Sequence, residues 1–323
     1  MKIKTVLKST IAAALLTLTV GVMAQQGPPL KILVGYAAGG GSDQLARLLG
    51  ESMSKTLNRP VIVENKPGAG GRIAAAALKM SPNDGSVVMV APNGLTSIQA
   101  IVYKDQLQYD PAKDLVPVAK LVDTVLAIAV SGKLGVNDAK QFSTWAKANP
   151  TKANYGSPGA GGMPHFVGLM LGNAMGTPLT HVAYRGGGPV ALALLGGEIP
   201  MGVSTMEDFA EHQKTGALKI IGITNAKRST LAPDFPTMME QGIDFKSESW
   251  SAMWTNAGAP PQKIKEIADA VQKALQSPDV RAKLAVAGSE PAFANAQDLG
   301  KLQAAEWKAW TPVIEASGFK PGN

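Results

Sequence analysis

The chemistry this sequence is equipped for is anion binding by backbone N–H groups. Gly39-Gly40-Gly41 stand between the apolar run Ile32-Leu33-Val34-Gly35-Tyr36 and a helical pattern over Gln44–Leu57. Gly68-Ala69-Gly70-Gly71 link the run Val61-Ile62-Val63 to a second helical pattern at Ile73–Met80, and Gly156–Gly162 precede a third at His165–Leu171. A glycine-rich turn from a strand into a helix leaves N–H groups without intrahelical acceptors, at the end where the helix dipole is positive. Such a turn suits a carboxylate or a phosphate. One alone is weak, because tight turns also call for glycine; three together point to a shared site. A fourth junction, Tyr184-Arg185-Gly186-Gly187-Gly188-Pro189, carries a guanidinium that either pairs with a ligand carboxylate or lies at the surface.

Competing chemistries fail on the residues. A dinucleotide fingerprint starting at Gly39 and Gly41 needs a third glycine at position 44, which is Gln44, and no phosphate-loop lysine motif exists. Ser157 has Tyr155 where a nucleophile elbow needs glycine, and Pro158 removes the N–H that would line an oxyanion hole. The imidazoles His165, His181 and His212 do not fall at metal-ligand spacing, so neither a metal nor an organic cofactor is expected; His165 is placed to cap or contact an anion at the Gly156–Gly162 turn. Trp250 and Trp254 read as buried packing between lobes rather than a stacking platform.

These junctions need strands to hold them. From Leu30 short apolar runs alternate with amphipathic helical ones, the pattern of an α/β protein with ligands at the carboxyl ends of parallel strands. Further strands are predicted at Val87–Ala91, Leu126–Val130, His181–Tyr184, Ile199–Val203 and Ile220–Thr224, and helices at Ala139–Ala148, Pro189–Leu195, Pro261–Leu275, Pro278–Ala287 and Gln297–Ala316. The last three are expected to pack back on the first lobe.

Lys2, Lys4 and Lys8, the apolar run Ile11–Val22 and the small residues before Gln25 read as a secretory signal peptide over residues 1–24. Its removal lowers the formal charge from +7 to +4. The remaining length suits two lobes. Lys and Arg are scattered among Asp and Glu without a basic block, which argues against nucleic acid. The chain has no Cys, so disulfides, thiolate metal sites and a lipid anchor on cysteine are excluded.

In order, Gly35-Tyr36 through Asp43, Val63-Glu64-Asn65-Lys66-Pro67-Gly68-Ala69-Gly70-Gly71, Gly156-Ser157 through His165, His181-Val182-Ala183-Tyr184-Arg185-Gly186 and Ala226-Lys227-Arg228-Ser229 resemble the Bug-type substrate-binding proteins of the tripartite tricarboxylate transporter family. The resemblance spans essentially the whole chain after the leader. It implies a two-lobed periplasmic binding protein, each lobe a mostly parallel sheet flanked by helices, that closes on a small mono- or dicarboxylate, aromatic acids included. Lobe one would be residues 25–124 with 250–323 and lobe two 125–249. It also implies a non-enzymatic monomer that hands its ligand to membrane permease subunits, or one that reports it to a membrane signalling partner.

By the same resemblance the ligand site comprises Tyr36, Ala38, Gly39, Gly40, Ser42, Asp43, Gly68, Ala69, Gly70, Asn93 and Gly94 from lobe one. Lobe two adds Ser157, Gly159, Gly161, His165, Tyr184 and Gly186, and the residue chemistry adds Arg185 and Ser204 as further candidates. Departures from the family pattern include Gly162, Gly187-Gly188 and Leu95-Thr96, and Ser204 stands where the family often has Asp after the strand. The loss of an acid and hydroxyls makes the expected pocket less polar and disfavours an amino-acid ligand.

Overall fold

The computed structural model describes residues 28–321; the leader and its cleavage position lie outside the described residues. The chain runs through β1 (Leu30–Val34), α1 (Gly41–Leu57), β2 (Val61–Asn65), α2 (Arg72–Lys79), β3 (Val87–Pro92), the short helical turns α3 (Asn93–Thr96) and α4 (Ile98–Val102), and β4 (Leu115–Thr124). A second series follows: β5 (Leu126–Ser131), α5 (Ala139–Ala148), β6 (Asn154–Pro158), α6 (Met163–Ala174), β7 (Thr180–Tyr184), α7 (Gly187–Gly196), β8 (Met201–Thr205), α8 (Met206–Lys214) and β9 (Leu218–Ile223). It closes with β10 (Ser249–Asn256), α9 (Pro261–Gln276), α10 (Pro278–Val286), β11 (Ser289–Asn295) and α11 (Ala296–Ser317).

Local chemistry sets these boundaries. In α1, Leu45, Ala46, Leu49 and Met53 recur at helical spacing and are buried, Asp43 lies in the positive first turn, and Asn58 ends the helix with φ at 48°. The Asp138 carboxylate caps α5 by accepting from the N–H of Gln141, and Asn295 caps α11 through Asp298. The apolar β1, β3 and β5 are buried almost throughout, as strands covered on both faces must be.

Two mixed sheets result. The first has the order β11-β4-β10-β3-β1-β2 and the second β7-β6-β8-β5-β9. Each contains a run of three parallel strands, β2-β1-β3 and β7-β6-β8, and the remaining pairs are antiparallel. Of the parallel strands, β1, β2, β3, β7 and β8 are those the sequence pattern predicts; β6, in which Gly156 and Pro158 leave no apolar run, is missing from it. The strands β4, β10 and β11 are not in that prediction: Pro117, Lys120 and Asp123 interrupt the apolar run of β4, and β11 contains Pro291 beside a register shift. The predicted strand Ile199–Val203 is also shifted, because pairing starts at Met201, after Pro200. Ser204 therefore lies inside β8, opposite Ala127, instead of following the strand.

The first sheet is sandwiched between two apolar layers. One joins β1, β3 and β4 to α1, α9 and α10; the other includes Trp250 and Trp254, stacked at 6.2 Å. Both indoles are fully buried inside this lobe, their Nε1–H groups donating to Glu306 and Gln303 of α11, so they do not pack between the lobes. The return segment joins the first sheet as expected up to the start of α11. The end of that helix departs: Trp310 and Ile314 join the core of the second sheet with Phe166 and Val167. The chain passes between sheets at Val125 and again at Glu248, where the Thr124 hydroxyl donates to Ser249 Oγ at 2.8 Å.

Candidate functional site

The cleft between the sheets holds two cavities that meet at Tyr36, Pro92, Thr205 and Ser249. The first, about 490 Å³, lies between the Ala69–Arg72 turn, α3, Gln99 and Tyr103 on one wall and the turn Pro158–Pro164 on the other. The second, about 740 Å³, lies between the start of α1 and residues 283–289 of the first lobe, with Glu207 reaching in from the second. The walls approach closely at Gly94, where a Cβ would lie 3.6 Å from Met163 Cβ, and at Gly161, where one would lie 3.4 Å from Tyr103 Oη.

The turn after β1 is shaped by Asp43. Its Oδ2 accepts from Gly39 N–H at 2.8 Å and from Arg47 Nε at 2.9 Å, and its Oδ1 accepts from Asn65 Nδ2 at 2.9 Å. Hydrogen bonding from Arg47 first, and then from Gly39 and Asn65, holds the carboxyl down at about 2. Asp43 is buried with its oxygens turned into this network. It positions the turn, and the N–H groups of Ala38, Gly41 and Ser42 are left without acceptors among the described residues.

The turn after β2 is held by its carbonyl. Gly70 O accepts from Tyr36 Oη at 3.1 Å and Gln99 Nε2 at 3.0 Å, while Ala69 sits in the left-handed region at φ 48°, unusual for a residue with a Cβ. Gly35 must be glycine because any Cβ would strike the backbone of Gly71. Beyond this turn Arg72 projects into the cavity. Its Nη1 donates to Gln99 Oε1 at 2.7 Å, and its guanidinium lies 3.5 Å above the Tyr103 ring centroid.

On the opposite wall the turn is buttressed by two histidines. His165 Nδ1 accepts from Gly161 N–H at 3.1 Å, and its ring stacks on His181 at 3.8 Å. Burial holds His165 at about 4 and His181 at about 3, the latter lowered further by His165, so both rings are neutral at pH 7. Gly161 has φ 73°, a conformation that strains any other residue, and a Cβ there would press on Phe319 and Tyr103 at 3.2–3.4 Å. Gly159 N–H bonds back to Ser157 O at 2.9 Å, whereas the N–H groups of Ala160, Gly162 and Met163 have no acceptor among the described residues. The last two open α6.

Ser157 Oγ and His181 Nε2 stand 2.7 Å apart, the spacing of a nucleophile and its base. Ser157 is nonetheless fully buried behind the turn, and His181 stacks on another imidazole with no carboxylate orienting it. Among the described residues no group of three or more His, Asp or Glu side chains is arranged to hold a metal ion.

The fourth junction is filled from within. A Cβ on Gly187 would overlap the Asp208 carboxylate, which also accepts from the Ser204 and Thr205 hydroxyls. An internal acid thus occupies the start of α7.

A model of the tripartite tricarboxylate transporter family receptor matches residues 45–319. The chain belongs to this family. Among solved structures it is similar to the periplasmic binding protein BugD (TM-score 0.75, 29% identity, 90% of this chain and 98% of that one). It is also similar to MatC (Rpa3494) from Rhodopseudomonas palustris with bound malate (0.74, 26%, 88% and 98%). A third is R. palustris Rpa4515 with adipate (0.79, 25%, 90% and 97%).

Of the residues singled out from the sequence, Tyr36, Ala69, Gly70, Asn93, Gly94, Gly159 and Gly161 line the first cavity of this receptor, and Gly40 and Ser42 the second. Asn93 is buried: its amide donates to Glu306 Oε1 at 2.8 Å and Glu248 O at 3.1 Å, which fixes the start of α3. Ala38 and Gly39 lie in the exposed turn before α1, Gly68 in the exposed turn before α2, and Asp43, Ser157 and His165 behind their turns. Tyr184, Arg185, Gly186 and Ser204 line neither cavity; Arg185 is exposed and Ser204 is buried against Asp208. Sequence reasoning missed Arg72, Gln99, Tyr103 and Thr205. The signal available for Arg72 was its place directly after Gly70-Gly71, at the opening of α2.

Proposed function

We propose that this receptor captures a small organic carboxylate in the first cavity and presents it, in the periplasm, to the membrane subunits of a tripartite transporter. The observation that carries the reading is the cavity's charge: among the described residues Arg72 is its one ionic lining residue, and the turn that bears the unpaired N–H groups of Ala160, Gly162 and Met163 lines the opposite wall. Family membership and the bound malate and adipate of two similar structures support the same ligand class. Among the described residues no helix is long and apolar enough to cross a membrane.

The lobes are residues 25–124 with 250–323 and residues 125–249, turning about Thr124 and Ser249, and the working unit is a monomer. Binding energy comes from N–H groups on the carboxylate and from closure that removes both from water. No reaction is assigned, since the one serine–histidine pair in the cleft wall is buried away from the cavity. A thermal-shift screen tests the ligand class. Carboxylates should raise the melting temperature, by the equivalent of about 2.7 kcal/mol at 100 times Kd. Stabilisation by sugars or cations with no carboxylate active would overturn it.

A further inference from the structure

We infer that Phe319, two residues past the end of the last helix, is a positioning residue of the ligand site: its ring holds the glycine-rich turn between β6 and α6, so that this turn meets the ligand already ordered. Phe319 itself lines neither cavity and acts through the turn, which lines the first. This rests on the carboxylate reading above.

The turn needs a wall outside itself. Gly159, Gly161 and Gly162 give it more freedom than any other residues would, and fixing it costs that entropy. Two of its N–H groups are tied internally, Gly159 to Ser157 O and Gly161 to His165 Nδ1. A Cβ on Gly161 would lie 3.2 Å from Phe319 Cε1 and 3.3 Å from Cζ, so the tip of the ring rests against the Gly161 backbone. The same ring meets His165 edge to face at 5.2 Å and Phe166 at 5.8 Å. It therefore braces both the turn and the imidazole that accepts from it. A turn ordered in advance spares the ligand that cost.

The end of α11 brings the ring there. Gly318 stops the helix in the left-handed region at φ 65°, and Phe319 N–H donates to Ser317 Oγ at 3.1 Å. Upstream, Trp310 and Ile314 dock in the core of the second sheet, while Glu306 is fixed to Asn93 and Trp250 of the first. One helix rooted on the first sheet thus delivers Phe319 to the anion turn of the opposite wall. The ring also covers His165, whose other titratable neighbours are His181, stacked at 3.8 Å, and Tyr155, which donates to His165 O. Burial alone lowers His165, so opening this cover lets water in and raises its midpoint from about 4 toward 6.5. A proton on Nδ1 then removes the acceptor of Gly161 N–H.

The test compares Phe319→Ala, Phe319→Met and Ile314→Ala with wild type in the mature protein, with succinate, adipate and benzoate as calorimetric probes. Ile314 is buried in the same core and lines neither cavity, so it reports lost packing alone. Phe319→Ala should weaken the tightest-binding acid by about fivefold or more. Phe319→Met, an apolar side chain of similar reach, should stay within about threefold, and Ile314→Ala within about twofold. Without ligand, Phe319→Ala should move the Gly161 and Gly162 amide signals in NMR and raise the His165 midpoint above about 5, and Ile314→Ala should do neither. Unchanged affinity in Phe319→Ala, or an equal loss in Ile314→Ala, would overturn the positioning role and leave the carboxylate reading standing. If no acid binds wild type that reading falls, and the ligand-free spectra decide: unmoved Gly161 and Gly162 signals in Phe319→Ala would overturn the role, and signals moved there but not in Ile314→Ala would support it. Melting temperatures within a few degrees of wild type establish that the Phe319 variants fold.

Discussion

The guanidinium of Arg72 lies over the face of Tyr103 at 3.5 Å from the ring centroid, and both side chains line the same cavity. Removing the ring frees the cation to turn into solvent, so Tyr103 acts on the ligand through Arg72. Tyr103→Ala should weaken carboxylate binding by roughly 2- to 30-fold, the worth of about 0.5–2 kcal/mol for a cation over an aromatic face. Tyr103→Phe should retain wild-type affinity within about threefold. Equal losses in both variants, read by calorimetry, would place the effect on the phenol oxygen and not on the ring.

His165 and His181 set the acid limit of stability. Both are held well below the ordinary value near 6.5, at about 4 and about 3, so the unfolded chain binds more protons than the folded one between those limits. Stability is therefore complete above about pH 6.5 and is lost progressively as the pH falls from there through 4 and 3, each ring withdrawing on the order of 3–5 kcal/mol. Asp43, held at about 2, acts in the same sense only below the ordinary carboxylate range, and Glu306, pushed up by burial, acts in the opposite sense. The melting temperature should fall from pH 6.5 downward, and NMR of the two imidazole Cε1–H signals should show no titration from pH 8 to 5. A midpoint near 6.5 for either ring would contradict this assignment.

Glu306 supports the floor of the site from beneath. Its Oε1 accepts from Asn93 Nδ2 at 2.8 Å and Trp250 Nε1 at 2.7 Å, and Oε2 accepts from the Ser97 hydroxyl. Glu306→Ala strands these buried donors and should cost about 2–4 kcal/mol in urea unfolding. Glu306→Gln keeps an acceptor for Asn93 and Trp250 while its amide can donate to Ser97, so its loss should stay below about 1.5 kcal/mol. Equal losses for the two would mean that the carboxylate's charge, and not its acceptors, matters here.

How far the sequence reveals the site depends on what kind of atom does the binding. Backbone anion turns were legible, because they need glycine between an apolar run and a helix, and Gly40, Ala69, Gly70 and Gly159 all reach the cleft. Which N–H groups stay free was not legible. Gly39 is taken by Asp43 and Gly161 by His165, contacts that look like ligand contacts in sequence and are internal in space. Tyr103 and Gln99 lie in a stretch without glycine, and only the fold of α4 over the β2 turn brings them to Arg72. In the fold, β1, β2 and β3 announced themselves as apolar runs, whereas Gly156 and Pro158 hid the parallel β6, and β4 and β11, interrupted by proline and charge, depend on neighbours distant in the chain.

The start of α7 shows why a glycine junction is not always a ligand site. Gly187 has no positive φ to accommodate, and its requirement is spatial, since a Cβ there would overlap Asp208, whose carboxylate is also held by Ser204 and Thr205. Gly187→Ala should then destabilise the protein by about 1–3 kcal/mol through overpacking. Asp208→Ser removes the obstructing carboxylate, so adding Gly187→Ala in that background should cost less, with a coupling of about 1 kcal/mol or more between the two positions. Carboxylate affinity should stay within about threefold of wild type in all three variants, because neither residue lines the ligand cavity. Urea unfolding of the double-mutant cycle and calorimetry on its four members check both claims. Strict additivity would mean that Asp208 does not fill this junction, and a tenfold loss of affinity on Gly187→Ala would return it to the binding site.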